Sequence, residues 1–256
     1  MIANYHTHTW RCRHAKGEDE AYVQSAIDGG LKILGFSDHT PYWFPEGHYS
    51  SFRMFREQLP DYVNSVLELR DRYADKIQIH LGLETEFYPR YFPETLARLR
   101  DTPIEYMILG QHFIGNEVGD HYCGWVSGEK ESLHRYCRQV IEAMETGLFT
   151  YLAHPGLFHY TGPDKDYLDA FRPVVRTAKD CGVPLEFNLL GIREGRHYPN
   201  RLVWELAAEE DCPVILGLDA HAPHHLNDPE TCRRGAEFLR PFDLNILTTI
   251  PLRSIH

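Results

Sequence analysis

Two histidines separated by a single residue, His6 and His8, stand near the start of this 256-residue chain. On an extended segment side chains alternate, so both imidazoles point to the same side and can bind one metal ion. Other metal-type side chains follow at or just beyond the ends of apolar segments: His14, His39, Glu84, His112, His154, Asp219 and His221. Imidazoles and carboxylates brought repeatedly to strand ends predict a site that holds several metal ions.

Three acids near these histidines are also candidates for the predicted metal site, as ligands or as residues that support the ligands. Glu84 directly follows the apolar run 79–83. A buried carboxylate there needs a cation, and its two oxygens can bridge two metal ions. Asp38, directly before His39, is expected to orient metal-bound imidazoles. Glu86 would share the face of Glu84 in an extended segment, so it is either a similar supporting acid or, the interpretation we favour, a solvated loop acid.

Seven short segments have the composition of buried parallel strands, because they are rich in Ile, Leu, Val and aromatic residues on both faces. They are Ile2–Tyr5, Ile33–Ser37, Ile77–Leu83, Tyr106–Gly110, Thr150–Ala153, Pro184–Leu189 and Val214–Leu218. Amphipathic helical patterns lie between them. Nearly every predicted strand ends in a metal-type side chain, so those ends must converge, which closure of the sheet into a barrel achieves. We therefore predict an α/β barrel in a single domain over residues 1–256, with the metal site at the C-terminal ends of the strands.

Four segments leave alternatives open. Pro173 lies inside the helical pattern of residues 168–178 and should kink that helix or delay its start. The tail Phe242–Ile250 is either an extra strand or an extended closing segment. The aromatic-rich stretches 41–55 and 119–127 follow predicted strand ends. Each forms either a wall that selects the substrate or a layer of aromatic rings packed on the barrel rim.

Charge and composition argue against several classes of protein. The net charge is −11 and no run of Lys or Arg is present, so the overall field repels nucleic acid. A small phosphorylated substrate is compatible, because bound cations invert the local field. No apolar stretch is long enough for a membrane span, and no signal peptide is recognisable. Six scattered cysteines without a CxxC pair indicate reduced thiols and a cytoplasmic location. Nothing in the sequence indicates an oligomeric state.

The metal-type residues lie in short motifs: His6-Thr7-His8, then His14 before a Gly-Glu segment, Ser37-Asp38-His39, Gly82-Leu83-Glu84, Gly110-Gln111-His112-Phe113, Ala153-His154-Pro155 and Asp219-Ala220-His221. In type and order, these motifs resemble those of the polymerase-and-histidinol-phosphatase (PHP) family, and within it the histidinol-phosphatase branch. The likeness runs from Asn4 to His221, most of the chain. Nine ligand-type residues at matching spacing make it specific.

The resemblance implies a distorted (β/α)7 barrel with a centre of three divalent metal ions, which suits Zn, Fe or Mn. By motif, one ion would be held by His6, His8, Glu84 and Asp219. A second would use Glu84 as a bridge together with His112 and His154, and a third would take His14, His39 and His221. All nine ligand types are present, so the resemblance implies an intact metal centre.

The resemblance also implies residues that bind the substrate. Histidinol-phosphatase relatives carry an arginine for the substrate phosphate, in a segment similar to residues 188–193 with a Tyr-Pro shortly after. Arg193 and Tyr198-Pro199 match that pattern, and a guanidinium fork suits phosphate; the alternative is that Arg193 is a surface loop residue. Relatives often have an acid after the His-Pro and a basic residue a few places on. This chain has a glycine there and then only His159 as a candidate, which puts the substrate in question.

The implied function is hydrolysis of a small phosphate monoester by a metal-activated hydroxide. L-histidinol phosphate, converted to L-histidinol in histidine biosynthesis, is the first candidate. Asp219, or a water on the third metal ion, is expected to give a proton to the leaving oxygen. A metal-dependent phosphodiesterase or exonuclease, or a non-catalytic metal-binding or sensor protein, would use the same ligands. An amidohydrolase is disfavoured, because no predicted strand end offers the bridging lysine that such enzymes use.

Overall fold

Eight parallel strands form one sheet in the computed structural model, which describes residues 1–119 and 121–256. The strands follow one another across the sheet in the order of the sequence. They are β1 (Ala3–Asn4), β2 (Ile33–His39), β3 (Gln78–Thr85), β4 (Tyr106–Leu109), β5 (Phe149–Leu152), β6 (Leu185–Asn188), β7 (Val214–Gly217) and β8 (Ile246–Leu247). In the long β2–β3 pair, His39 stands opposite Glu84. The register of the sheet thus sets two metal-type side chains next to each other.

Helices occupy the connections between neighbouring strands, as parallel pairing requires a crossover. They are α1 (Asp19–Asp28), α2 (Leu59–Arg72), α3 (Phe92–Leu99), α4 (Lys130–Glu145), α5 (Asp164–Asp180), α6 (Leu189–Glu194), α7 (Arg201–Glu209) and α8 (Pro229–Leu239). Their apolar faces bury residues such as Tyr62, Val140 and Phe171 against the sheet. Within the described ranges, none of the helices combines the length and the apolar character needed to cross a membrane.

The side chains of each strand alternate between two cores. In β4, Met107 and Leu109 belong to the large core shared with the helices, whereas Tyr106 and Ile108 belong to a smaller one. The smaller core takes its other members from the neighbouring strand β5, from the regions of β1 and β7, which are not neighbours of β4 in the sheet, and from the C-terminal tail: Ala3, Tyr5, Tyr151, Ala153, Ile215 and Ile250. Strands that are not neighbours can share a core only if the sheet curls around it. The smaller core is therefore the interior of a barrel.

The barrel closes at its carboxyl edge through the segments that follow β1 and β7. Thr7 forms a parallel bridge with Ala220. Backbone hydrogen bonds of 2.9 and 3.1 Å run from His8 N to Ala220 O and from Ala220 N to His6 O. This closure brings the two histidines at the start of the chain beside residues 219–221.

The predicted fold class, an α/β barrel of distorted form, is confirmed, with one more strand than the seven expected. The tail contributes that strand, β8, which pairs with the amino end of β7 and leads to the buried Ile250. The expectation that Pro173 delays its helix is wrong, because α5 begins at Asp164 and continues past the proline. Buried Phe171 and Val174, on either side of the proline, hold this helix against the sheet.

Candidate metal centre

All nine predicted ligands lie at the carboxyl edge of the barrel. His39 is the last residue of β2, and Glu84 is the last but one of β3. The others follow strands β1, β4, β5 and β7: His6, His8, His14, His112, His154, Asp219 and His221. Residues far apart in the sequence converge here because a parallel barrel collects the carboxyl ends of its strands at one mouth.

Four of these residues, all buried, form one group: His6, His8, Glu84 and Asp219. The Nε2 atom of His6 lies 3.5 Å from Asp219 Oδ1 and 3.6 Å from Glu84 Oε2. The corresponding distances from His8 Nε2 are 3.2 and 3.5 Å. Tetrahedral ligands about 2.1 Å from one ion lie about 3.4 Å from each other. The four atoms therefore have the spacing of a cation-binding group.

Several buried polar atoms of the centre have no hydrogen-bond partner among the described residues. They include His6 Nε2, His8 Nε2, His39 Nδ1, Glu84 Oε2 and Asp219 Oδ1. An unpaired buried polar atom costs about 1–3 kcal/mol, and more when it is charged. The convergence of these atoms is unfavourable unless a cation binds them. The residues thus fit a metal ion.

Glu84 links this group to further histidines. Its Oε1 atom lies 2.7 Å from His154 Nε2 and 3.6 Å from His112 Nε2, while its Oε2 atom belongs to the first group. Three more histidines have ligand atoms within 4.8 Å of one another: His14, His39 and His221. The nine predicted ligands therefore lie in three adjoining groups, and Glu84 connects the first to the second.

Carboxylates stand behind three of the imidazoles, at the ring nitrogen turned away from the centre. The Nδ1 atoms lie 2.7, 2.9 and 3.5 Å from carboxylate oxygens in the pairs His6–Glu186, His112–Glu86 and His8–Asp38. Such a carboxylate fixes the tautomer and the orientation of the ring, which leaves Nε2 to bind a metal. Asp38 therefore has the position expected of a supporting acid, beside His8.

Two of these acids differ from expectation. Glu86, which we favoured as a solvated loop acid, is fully buried. That expectation is wrong because Arg53 folds over the carboxylate, with Nη2 3.0 Å from Glu86 Oε1. Glu186 was not predicted at all. Its signal in the sequence is an acid between Leu185 and Phe187 in the buried strand β6, since a charge in a buried strand needs a partner.

Two glycines leave room for the carboxylates. A Cβ atom on Gly110 would lie 1.9 Å from Glu84 Oε1, and one on Gly217 would lie 1.8 Å from Glu186 Oε1. Both distances are far below van der Waals contact, so a larger residue would displace the acid. Glycine at these positions follows from the close approach of a side chain.

The backbone is strained at two predicted ligands. His154 and Asp219 have φ angles of 30° and 47°, in the left-handed region that residues other than glycine rarely adopt. Strain of this kind persists where the surrounding structure enforces it, and it clusters at functional sites. Both residues follow buried strands, which makes strain at the barrel mouth a second sign of a functional centre.

Charge interactions set the protonation of the centre. Burial raises the pKa of the Glu84 carboxyl, but the attraction of His39 and His112 outweighs burial and holds this pKa well below its usual range. For Asp219, the attraction of His6 and His8 likewise outweighs burial, and its pKa is also well below the usual value.

The pKa values of two of the histidines are lowered as well, which for an imidazole favours the uncharged form. Burial lowers the pKa values of His39 and His221 well below the ordinary range, which favours neutral rings. Ionised carboxylates and neutral imidazoles are the forms that bind metals. At His6, His8 and His112 the attraction of nearby carboxylates outweighs burial and raises the pKa values, so a metal ion that binds these rings must displace a proton. An ionised Asp219 is not ready to give a proton, so the predicted role as a proton source requires that it first accept one.

A cavity of about 660 Å³ opens at this centre. Such a volume accommodates a small molecule. Residues outside the predicted ligand set form its remaining walls: Ser51, Phe52, Phe113, Tyr122, Trp125, Leu157, Leu190, Glu194, Arg196 and Tyr198. The cavity therefore joins a polar floor of metal-type side chains to walls that are largely aromatic.

The structure does not bring Arg193 to this cavity. Its Nε atom lies 3.0 Å from Asp228 Oδ2, and its other nitrogens donate to the carbonyls of Leu218 and His225. Arg196 is the arginine that lines the cavity. The two residues are separated by the left-handed Gly195 that ends α6, so the chain turns between them and sends the two side chains to different surroundings.

His159 also lies away from the residues that line the cavity. Its ring stacks on His197, with centroids 4.0 Å apart and an interplanar angle of 2°. Tyr198 does line the cavity. Its ring centroid lies 6.0 Å from that of His154.

The two aromatic stretches divide between the expected alternatives. From residues 41–55, Ser51 and Phe52 line the cavity, whereas Tyr42 and Phe44 pack on the rim with Tyr88 and Tyr91. From residues 119–127, Tyr122 and Trp125 line the cavity. Residue 120, within this second stretch, lies outside the described residues.

Comparison with known proteins agrees with this geometry. The chain matches the PHP domain family over residues 4–189. It is 32% identical to a protein of Deinococcus radiodurans named probable histidinol-phosphatase, over 233 residues that cover 87% of each chain. A second relative of that name, from Schizosaccharomyces pombe, is 24% identical over 252 residues, covering 88% of this chain and 82% of the relative.

A solved structure shows the same fold. Histidinol phosphate phosphatase from Lactococcus lactis, complexed with zinc, L-histidinol and phosphate, gives a TM-score of 0.75 at 19% identity. The match covers 99% of this chain and 97% of that protein. At this level of identity, the likeness supports the fold of the barrel from end to end.

The barrel mouth that collects histidines and carboxylates, together with the relatives, places this chain in the class of metal-dependent hydrolases. The chain belongs to the PHP domain family, and the resemblance to its histidinol-phosphatase branch is confirmed. The expectations of a phosphatase and of divalent metal ions as cofactors are confirmed at the level of class.

Proposed function

We propose that this chain hydrolyses a small phosphate monoester with the help of three divalent metal ions, Zn, Fe or Mn. One observation carries the proposal: the converging metal-type side chains and Arg196 line the same cavity. Bound metal ions and a guanidinium in a space of this size suit a compact dianion such as a phosphoryl group.

The proposed metal ligands are the nine residues of the motifs. His6, His8, Glu84 and Asp219 would hold one ion, Glu84 with His112 and His154 a second, and His14, His39 and His221 a third. When bound, the ions lower the pKa of a coordinated water and neutralise charge on the phosphoryl oxygens. Glu186, Asp38 and Glu86 keep the imidazoles behind which they stand in the orientation that binding requires.

Asp219 and Arg196 would handle the proton and the phosphate. The ionised Asp219 accepts a proton from the attacking water and returns it to the leaving oxygen, so the proton balance closes. Arg196 donates hydrogen bonds to the phosphate through its planar fork. Its Nη1 atom lies 2.6 Å from Tyr198 Oη, and the Tyr198 ring adjoins His154. This contact supports a phosphate-binding role close to the metal ligands.

L-histidinol phosphate is our first candidate substrate, with L-histidinol and phosphate as the products. The relatives named above support this choice, and so does the complex of the Lactococcus lactis protein with L-histidinol and phosphate. The cavity wall offers the aromatic rings of Phe113, Tyr122 and Trp125, against which an imidazole ring can stack.

We also propose that the protein resides in the cytoplasm. Its six cysteines are all free, and four of them are buried. Proteins of oxidising compartments commonly pair such residues in disulfides. A reducing compartment fits this pattern.

The experiment that tests the proposal compares two arginine variants by steady-state kinetics on L-histidinol phosphate. Arg196→Gln should lower kcat/KM roughly 100-fold, because a preorganised donor to the phosphoryl group is lost. Arg193→Gln should lose much less, since Arg193 pairs with Asp228 outside the cavity. Metal content should be unchanged in both variants.

An exposed arginine provides the matched control. Arg201 pairs with Glu205 at 2.7 Å on α7, so Arg201→Gln should keep wild-type kinetics. A large loss in Arg193→Gln with none in Arg196→Gln would move the phosphate site to Arg193. Failure of the metal-loaded wild type to release phosphate from any monoester of a broad panel would overturn the function.

A further inference from the structure

One acid of the cavity wall has no part in the metal centre. Of the carboxylates that line the cavity in the described part of the chain, Glu84 and Asp219 belong to the converging groups and Glu194 does not. Glu194 is the last residue of α6, and the left-handed Gly195 separates it from Arg196. The turn places one acid and one base side by side in the lining of the cavity.

The acid and the base are paired with each other. Glu194 Oε2 lies 2.7 Å from Arg196 Nε and 2.6 Å from Nη2, and Arg196 Nη1 reaches Tyr198 Oη at 2.6 Å. The two charged side chains are 43% and 38% exposed, so a solute in the cavity can reach both. The edge of the guanidinium that suits a phosphate is thus occupied by a carboxylate that the solute can displace.

Phosphate binding changes the charge balance of this pair. A phosphate dianion competes with a single carboxylate for the guanidinium fork, because it carries more charge and more acceptor oxygens. Once phosphate occupies Arg196, Glu194 loses its partner beside a wall made of Phe113, Tyr122 and Trp125. A cationic group on the same substrate would restore the pairing.

The aromatic wall suits such a group. Trp125 is 60% exposed, so core packing does not account for its position. Its ring lies 6.1 Å from that of Tyr122, which lies 5.5 Å from that of Phe113. A cluster of aromatic rings attracts a cation over a ring face and gives a planar or apolar substituent a surface to cover.

We propose that Glu194 is a specificity residue that binds the cationic amino group of the substrate when phosphate displaces it from Arg196. The inference rests on the proposed phosphatase function and narrows it to a substrate class, phosphate monoesters of amino alcohols. Arg196 recognises one end of the substrate and Glu194 the other. An ester without the amine leaves Glu194 unpaired and is therefore a poor substrate.

The test compares two esters on the metal-loaded enzyme: L-histidinol phosphate and its deamino analogue, which keeps the imidazole and the phosphate. In the wild type, kcat/KM should be roughly 10- to 100-fold higher for L-histidinol phosphate than for the deamino analogue, which is the range for a hydrogen bond to a charged group. In Glu194→Gln that preference should fall to about one. The substitution also breaks the ion pair of Glu194 with Arg196, but this affects the phosphate of both esters alike. The ratio of the two kcat/KM values therefore reports only the contact with the amino group.

A binding measurement adds a readout that does not depend on turnover. L-histidinol should bind the wild type more tightly when inorganic phosphate is present, since phosphate frees Glu194, and Glu194→Gln should lose this coupling. Glu205→Gln is the matched control, because it breaks a similar exposed pair with Arg201 on α7 and should retain both the preference and the coupling.

The outcomes separate the inference from the function on which it rests. Suppose that the enzyme releases phosphate from both esters and that Glu194→Gln keeps the wild-type ratio of kcat/KM between them. Glu194 then does not bind the amino group, and the inference fails. A wild type that uses the two esters equally well also overturns it. If neither ester nor any other monoester is hydrolysed, the proposed function fails, and the specificity assignment fails with it.

Discussion

Glu186 shows how the centre depends on residues that do not line the cavity. Its Oε1 atom lies 2.7 Å from His6 Nδ1, and its Oε2 atom accepts from the backbone N–H of His154 at 2.9 Å and from Asn188 Nδ2 at 2.9 Å. One buried carboxylate thus connects two proposed metal ligands, His6 and His154, from distant parts of the sequence. Loss of the Glu186 carboxylate should make the positions of His6 and His154 less well fixed, although Glu186 is not itself a proposed metal ligand.

Glu186→Gln should therefore weaken metal binding while the fold persists. A glutamine keeps the shape but is a weaker acceptor for the imidazole N–H, and loss of such a supporting contact costs roughly 10- to 100-fold in metal affinity. Competition with a chelator of known affinity measures the change, and thermal unfolding checks that the protein stays folded.

A second carboxylate–imidazole pair far from the centre gives the control. Glu105 Oε2 lies 2.7 Å from His80 Nδ1, and neither residue belongs to the converging groups. Glu105→Gln should leave metal affinity unchanged. Equal affinities in wild type and Glu186→Gln would mean that Glu186 does not support the ligands.

At the scale of single residues, the sequence predicted the proposed metal ligands better than the residues that contact them. Histidines placed after apolar strands stand out, because a barrel must bring strand ends together. The choice between Arg193 and Arg196 did not follow from spacing, since it depends on the turn at Gly195 and on Asp228, which lies in a distant part of the chain. Partners that come from remote segments have no local signature.

The loop of residues 41–55 is held to the barrel by one buried arginine. Arg53 places its Nη2 3.0 Å from Glu86 Oε1 and its Nε 3.0 Å from Glu117 Oε2. Its guanidinium also lies 4.3 Å from the centre of the Phe52 ring, and Phe52 lines the cavity. Because Glu86 in turn contacts His112, the arginine joins a cavity wall to a proposed metal ligand.

Arg53→Met should destabilise the protein and disturb the centre together. It leaves two buried carboxylates without their cation, which costs about 3–5 kcal/mol of unfolding free energy. Urea unfolding measures that loss. Metal content should also fall, because Glu86 loses the contact that fixes it behind His112.

The comparison residue for this prediction is Arg98. It stacks on Trp43 of the same loop at 5.4 Å and pairs with Glu94 at the surface. Exposed pairs contribute about 0–1 kcal/mol, so Arg98→Met should have a small effect and no influence on metal content. Similar losses for the two variants would refute the anchoring role of Arg53.

The elements themselves were largely predictable from short patterns. Period and apolar composition identified the strands and the helices that separate them, because a short run that is apolar on both faces is typical of a buried parallel strand. The conformation of residues 41–55 was not predictable, since its aromatic side chains fit a cavity wall and a packed rim equally well. Contacts with Glu86 and Glu117, from other segments, decide between the two.

The whole molecule divides into a filled interior and an open mouth. Tyr5, Tyr106 and Tyr151 fill the barrel beneath the centre, and Ile250 joins them from the tail. The convergence of metal-type residues was enough to predict a barrel. The place of closure was not, because the bridge between Thr7 and Ala220 depends on geometry at both ends of the chain.

The most direct test of the proposed centre is anomalous diffraction from crystals grown with Zn, Fe or Mn in excess. We predict three metal peaks at the barrel mouth, each about 2.0–2.6 Å from its ligand atoms, with Glu84 bridging two of them. Peaks located elsewhere, or imidazoles of His6, His8 and His154 turned away from the ions, would contradict the proposed centre and the phosphatase chemistry built on it.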